Sequence, residues 1–424
     1  MSAVLQSLDT RAWRRQAEAL LGEVADATRD GPGITRESYG PGEDTALQLL
    51  ERHAAAMGLA CEYDRARNLW MRLPEDGRAD PVVVIGSHVD SVPQGGNYDG
   101  LAGVVAGMLV LSSLRGRHAD APPVRVLALR GEESAWYGRA YMGSMALLGR
   151  LPAAALQLPH RMGAGAGTLG DALARCGADV AAIAQGTPLL PCAVAAYLEL
   201  HIEQGPVMVA RGWPVAAVTG IRGNVRHNRV RCIGEAGHSG AVPRWLRKDA
   251  VLAVAQLLSR MDEHWRVLLQ MGMDLVMTSG ICTTPAQSHA VSVIPGEVQF
   301  SFEARSQDAA TLERFHQLMQ DECRAIAADR GVRFEFDDRL TTAPATMDEG
   351  WIQRFEAVAA RAGQTLERIP SGAGHDAAVF TAAGIPAAML FVRNAHGSHN
   401  PQEAMDIGDF LLGTEWLAEA LLGL

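Results

Sequence analysis

Val82-Val-Val-Ile-Gly-Ser-His-Val-Asp90 is the stretch on which the fold turns. Four consecutive β-branched apolar residues closed by a glycine are too short for a buried helix, and they predict a strand covered on both faces. An imidazole (His88) and a carboxylate (Asp90) follow directly at the end of that strand. Three other runs have the same character: Val124-Arg-Val-Leu-Ala-Leu129, Ala195-Ala-Tyr-Leu-Glu-Leu200 and Ala387-Ala-Met-Leu-Phe-Val392. Each leads within a few residues to a metal-ligand side chain, namely Glu132-Glu133, His201 and His399. Periodic helices are expected at 10–28 and 44–57, and an apolar one at 101–114. Strands alternating with helices predict an α/β fold with a mostly parallel sheet flanked by helices. Such open sheets bind ligands in the crevice beyond the carboxyl ends of their strands, where these side chains lie.

Between about Pro214 and Ala343 the texture changes to strand (228–233), helix (249–265), two strands (274–281 and 297–304), helix (311–330) and strand (332–337). This βαββαβ order is a self-contained two-layer sandwich. The expected division is therefore 1–213 with 344–424 as one domain and 214–343 as an insert. At 424 residues the chain exceeds one ordinary hydrophobic core, in keeping with two domains. A net charge of −10 argues against general nucleic-acid binding and leaves a small-molecule partner. Six scattered cysteines without a Cys-x-x-Cys pair indicate neither a disulfide framework nor a zinc knuckle, which suits a cytoplasmic protein. The leading residues carry no apolar signal segment, and no run of 18 apolar residues occurs, so neither secretion nor membrane spanning is expected.

Several residues are candidates for chemistry. Asp90 is placed to orient His88, since a ligating histidine gives its other ring N–H to a carboxylate or carbonyl. Asp99 precedes the apolar helix, where an aspartate is by default an N-cap; its nearness to His88 makes it a ligand candidate as well. Of the adjacent acids Glu132 and Glu133, one can ligate a metal while the other takes a proton from water. Mixed imidazole and carboxylate donors suit zinc, manganese, cobalt or nickel. In the insert, His238 sits in a small-residue turn, Gly234-Glu-Ala-Gly-His-Ser-Gly240, from which it could donate a hydrogen bond to an oxyanion. Arg305 could clamp a substrate carboxylate, or form a surface ion pair. Ser371-Gly-Ala-Gly-His-Asp376 lacks a phosphate-loop lysine and reads as a loop shaping a site wall.

Taken in order, Gly86-Ser-His-Val-Asp-Ser-Val-Pro93, Gly96-Asn-Tyr-Asp-Gly100, Glu132-Glu133, Leu200-His-Ile-Glu-Gln-Gly-Pro206, Ala236-Gly-His-Ser-Gly240, Ser371–Asp376 and Ser398-His-Asn-Pro401 resemble the hydantoinase/carbamoylase branch of the M20 metallopeptidase-like amidohydrolases. That resemblance implies a mixed-sheet, zinc-peptidase-like catalytic domain with an inserted lid that also forms a homodimer interface. It implies two divalent ions, one held by His88, Asp99 and His201 and the other by Asp99, Glu133 and His399, with Asp99 bridging. Glu132 would be the general base and acid, with Asp90 and His238 as further catalytic residues, His238 acting on the partner's site. Gln204, Asn224, His289, Ser292, Arg305 and Gly374 would contact substrate. The sequence departs from the branch where Asn-x-x-Asn is replaced by His289-Ala-Val-Ser292, and where Gly-Gln is replaced by Gly223-Asn-Val225. The implied reaction is hydrolysis of a carbamoyl or ureido C–N bond. The alternatives are an aminoacylase- or dipeptidase-like hydrolase and a non-catalytic metal-dependent binding protein.

Overall fold

The computed structural model describes residues 10–78, 81–162 and 167–422; the first nine residues of the chain, including the leading part of the segment searched for a signal sequence, lie outside the described residues. Strand Val82–His88 is buried along its whole length and runs parallel to Val124–Leu129 on one side and to Val194–Ile202 on the other. Ala387–Val392 extends the parallel set beyond Val194–Ile202. The outer strands pair antiparallel to their neighbours. Leu69–Arg72 is antiparallel to Val124–Leu129, Ala60–Tyr63 is antiparallel to Leu69–Arg72, and Val215–Ile221 is antiparallel to Ala387–Val392. The sheet is thus mixed, with its parallel centre made from the four apolar runs.

Helices Thr10–Ala27, Leu101–Ser113 and Ile407–Leu422 pack together, and Leu101–Ser113 lies against the central strands. Eleven of its thirteen residues are buried, which is why it reads as continuously apolar rather than amphipathic. Because the four strands are mutually parallel, the ends of Val82–His88, Val124–Leu129, Val194–Ile202 and Ala387–Val392 lie at the same edge of the sheet.

The chain divides into two compact units, one comprising the described residues of Met1–Thr219 and Thr346–Leu424, the other Gly220–Ala345. Strand Val215–Ile221, expected inside the insert, pairs instead with Ala387–Val392 in the main sheet. Its apolar run is as buried as those of the other sheet strands, a pattern that an edge of the insert would not need.

The second unit has the expected strand and helix order. Strand Gly223–Ile233 lies between Glu297–Ser306 and Arg333–Phe336, all antiparallel, while helices Ala250–Gln270 and Ala309–Arg330 cover one face. Phe300, Phe302, Phe315, Met261, Met319 and Ile326 are among the residues filling its core. The first strand begins five residues earlier than its polar start, Arg226-His-Asn-Arg229, suggests. A bulge accommodates that stretch: Phe302 pairs with His227 and Phe300 with Val230, so one extra residue is absorbed on the His227 side. Among the described residues no helix is long and apolar enough to cross a membrane.

Candidate metal centre

His88 ends its strand, and Asp99 immediately precedes the helix that packs beneath it. Asp99 does not cap that helix. The N-cap is Gly100 at φ 69°, without a side-chain cap, and the Asp99 carboxylate turns to the histidines instead. Glycine is required at 100: a Cβ there would lie 2.5 Å from the His88 ring. Asp99 Oδ1 stands 3.3 Å from His88 Nε2 and 3.2 Å from His201 Nε2, and the two ring nitrogens are 3.4 Å apart. Around Asp99 Oδ2, His399 Nε2 lies at 3.5 Å, and His399 Nε2 is 3.2 Å from Glu133 Oε1. His88, Asp99 and His201 form one potential ligand group, and Asp99, Glu133 and His399 a second that shares Asp99.

These separations suit divalent cations. Ligands on a tetrahedral ion with bonds of about 2.0–2.1 Å are about 3.3 Å apart. Asp99 Oδ1 is buried and makes no hydrogen bond, so an acceptor is held ready between two imidazole nitrogens. The donors are three imidazoles and two carboxylates with no thiolate, a set that accepts zinc, manganese, cobalt or nickel.

Asp90 differs from expectation in how it acts. His88 Nδ1 bonds to the backbone carbonyl of Asp90 at 3.0 Å, while the Asp90 carboxylate is farther, at 3.5 Å. That carboxylate, wholly buried, accepts the backbone N–H of Glu132 on Oδ1 and that of Glu133 on Oδ2, each at 3.0 Å. Ser38 Oγ donates to Oδ2 at 2.5 Å. Asp90 therefore fixes the turn that presents both glutamates. The sequence could not show this, because the contact spans more than forty residues.

The charges reinforce one another. Burial pushes the Glu132 carboxyl well above the ordinary carboxylate range; His88 opposes this, while Glu133, Asp376 and Asp90 add to it. Burial also raises Glu133, with His399 pulling the other way. Burial would raise Asp99 too, but His201 and His88 hold it well below its usual range. His399 is pushed up to about 9, chiefly by Glu133.

Gln204, expected to touch substrate, donates its amide to Asp99 Oδ2 at 2.7 Å. Gly374 packs against Tyr141, whose hydroxyl would be 1.6 Å from a Cβ at 374.

The remaining candidates belong to the second unit. His238 pairs with Val293 in a two-residue ladder and is exposed. The Gly240 N–H donates to its Nδ1 at 3.1 Å, so a neutral His238 carries its proton on Nε2 and presents a donor there. Ser292 flanks the same ladder and accepts the Ser239 N–H through its carbonyl. His289 is held by Thr284 Oγ1 at 2.7 Å and lines a cavity of about 750 Å³ with Val291, Val293 and Pro295. Asn224 and Arg305 are direct cross-strand partners, and Arg305 also pairs with Glu303 at 3.0 Å.

Sequence reasoning missed Arg36, Glu199 and Glu403, and it placed His375 only within a loop shaping the site wall. Arg36 is wholly buried and donates to the carbonyls of Val89 (2.6 Å) and Asn97 (3.4 Å). Glu199 accepts from Ser87 Oγ and from the Ala377 N–H, joining the His88 strand, its own strand and helix Asp376–Ala382. Glu199, His201 and His375 form a third cluster of potential ligand atoms, buried behind the first. The one legible signal was Glu199, a lone acid two residues before His201 in an otherwise apolar strand.

Comparison with known proteins agrees with this chemistry. The model of peptidase family M20/M25/M40 matches residues 84–423. The chain is 33% identical over 414 residues to an N-carbamoyl-L-amino acid amidohydrolase of Geobacillus stearothermophilus, covering 96% of each. It is 31% identical over 389 residues to an allantoate amidohydrolase of Escherichia coli K12, covering 91% of this chain and 92% of the other. A crystal structure of a hydantoinase/carbamoylase family amidase from Burkholderia multivorans superposes with a TM-score of 0.85 at 28% identity, covering 97% of both chains.

Proposed function

The chain belongs to peptidase family M20/M25/M40, and from that membership and the geometry around Asp99 we propose that it hydrolyses the ureido C–N bond of a small carboxylate-bearing substrate, using two divalent ions per subunit. The observation that carries this reading is the pair of ligand groups sharing Asp99, with Glu132 beside them on the same turn as Glu133. His88, Asp99 and His201 would hold one ion, and Asp99, Glu133 and His399 the other. When bound, the ions supply concentrated positive charge that acidifies water toward a pKa of roughly 7 and stabilises negative charge on a carbonyl oxygen.

The chain's own residues do the rest. Glu132 removes the proton from the attacking water and returns it to the departing nitrogen, a task suited to a carboxyl whose pKa burial has raised. Asp90 holds Glu132 and Glu133 in place through their backbone N–H groups. We assign to His238 the role of donor to the developing oxyanion, on the strength of its Nε2–H tautomer. Arg305 and its cross-strand neighbour Asn224 are assigned to the substrate carboxylate. With His289 and Ser292 in place of two asparagines, preference should move away from simple N-carbamoyl α-amino acids.

The relatives act, by name, on N-carbamoyl amino acids and on allantoate, so the proposed substrate is drawn from that ureido class. A homodimer through the second unit is supported by its exposed apolar side chains, including Trp245 (80% exposed), Met271 (70%) and Leu246 (56%). Six free thiols support a reducing, cytoplasmic setting.

Glu132→Gln tests the assignment of roles. It should keep the fold and both metals and lower kcat by at least about a hundredfold, the scale of losing a general base. Loss of metal with activity restored on remetallation would exchange the roles of Glu132 and Glu133.

A further inference from the structure

Of the five residues assigned as ligands, His399 is held in the least secure way. Its side chain is half exposed, whereas those of His88, Asp99, Glu133 and His201 are buried. It sits in a hairpin loop closed by the short strands Asn394–Ala395 and Ala404–Met405, and three residues of that loop, His396, Gly397 and His399, have positive φ. A non-glycine residue in the left-handed region costs on the order of 1 kcal/mol and persists only where its surroundings over-determine it.

Glu403 supplies much of that constraint. Its carboxylate is buried and faces the segment carrying Asp99: Oε1 accepts the N–H of Tyr98 at 2.8 Å and that of Asp99 at 3.3 Å. Its other oxygen accepts the Ser398 hydroxyl at 2.6 Å, and the same hydroxyl lies against Asp99 Oδ2. The fit is close, since a Cβ on Gly96 would fall 2.1 Å from the Glu403 carboxyl. Arg36 binds the carbonyls of the same segment, Asn97 O at 3.4 Å and Asp99 O at 3.5 Å, and the Asn97 side chain at 3.1 Å. The Asp99 segment is therefore clasped between a buried cation on its carbonyls and a buried anion on its amides. The anion is also the link to the His399 loop.

We propose that Glu403 is a positioning residue for the second metal site: it pins the His399 loop onto the Asp99 segment, so that Asp99, Glu133 and His399 converge, while the His88/Asp99/His201 site depends on it far less. This rests on the two-ion reading above. The asymmetry follows from the supports. His88 and His201 stand on central sheet strands, whereas His399 stands on a loop whose tie to Asp99 runs through Ser398 and Glu403.

The test is Zn2+ binding to the metal-stripped full chain, measured by competition with a chromophoric chelator and by bound-metal analysis after gel filtration. Wild type should take up two ions. Glu403→Ala should keep one ion at near wild-type affinity and bind the second at least tenfold more weakly. Glu403→Gln, which retains an acceptor for the two N–H groups, should restore the second ion to within about threefold. Ser398→Ala should weaken the second ion in the same direction, and it tests the link should Glu403→Ala fail to fold. Fewer than two ions on wild type would overturn the two-ion reading itself. Two ions on wild type, with Glu403→Ala and Ser398→Ala weakening both sites equally or neither, would overturn the role of Glu403 alone.

Discussion

Asp90→Asn is the substitution whose effect can be worked most directly from the structure. The carboxylate accepts three hydrogen bonds with its two oxygens, from the Glu132 N–H, the Glu133 N–H and Ser38 Oγ, and it is wholly buried. An asparagine has one oxygen. If its amide nitrogen faces Glu132, that backbone N–H meets a donor and is stranded. If the nitrogen faces Glu133, Ser38 can rotate to accept from it, but the Glu133 N–H is stranded instead. Either rotamer loses one charge-assisted bond and leaves one buried N–H without an acceptor, at about 3 kcal/mol in total. The turn presenting Glu132 and Glu133 must then shift, and kcat should fall by about tenfold or more, because small misplacements of catalytic groups are expensive. The assays are urea unfolding of the metal-stripped protein, which isolates the backbone effect from metal binding, and turnover after metal is restored. Wild-type stability together with wild-type turnover would refute the claim that Asp90 organises the glutamate turn.

Gly100→Ala should lower metal affinity more than tenfold in chelator competition, because it combines a positive φ with a Cβ 2.5 Å from the His88 ring; Gly22→Ala, with no atom within 4 Å in helix Thr10–Ala27, is the control and should be neutral or stabilising by about 0.5–1 kcal/mol. A pH effect is expected in the second unit, where His316 Nε2 lies 3.0 Å from His227 Nε2 and burial, with Arg339 and His227, depresses His316 from 6.5 to about 4. The folded unit resists a proton that the unfolded chain accepts, so this contribution to stability is full above about pH 6.5, is lost as the pH falls toward 4, and is level below that. His316→Gln should flatten the slope in that window in denaturant titrations; an unchanged slope would place the titration elsewhere.

The parallel centre of the sheet was legible because four runs are mostly apolar and mostly buried, with Arg125 and Glu199 the charged residues among them. The antiparallel margins were not. Ala60–Tyr63 and Leu69–Arg72 are four residues each and include Glu62 and Arg72, so they have neither the length nor the apolarity to stand out. Val215–Ile221 is apolar enough to read as a strand, but its partner Ala387–Val392 is some 170 residues away, beyond the whole second unit, and nothing local assigns it to the main sheet. Around Asp99 the same division holds. Ligand-type residues announce themselves at strand ends, whereas the groups that hold them do not. Nothing local marks Arg36 or Glu403, because their partners at 89–99 are distant in sequence. Asp90 was recognised for its nearness to His88, yet its main partners are the N–H groups of Glu132 and Glu133.

The central claim is metal-dependent cleavage of a ureido bond, and ammonia release measures it most directly. The protein is stripped with chelator, resupplied separately with Zn2+, Mn2+, Co2+ or Ni2+, and offered N-carbamoyl amino acids, allantoate, ureidoglycolate and N-acyl amino acids, with ammonia and free amine both quantified. The account predicts ammonia only from ureido compounds, only when a divalent ion is present, and best from a compound other than a simple N-carbamoyl α-amino acid. Faster cleavage of an N-acyl amino acid than of every ureido compound, or equal ammonia release from the stripped protein, would contradict it.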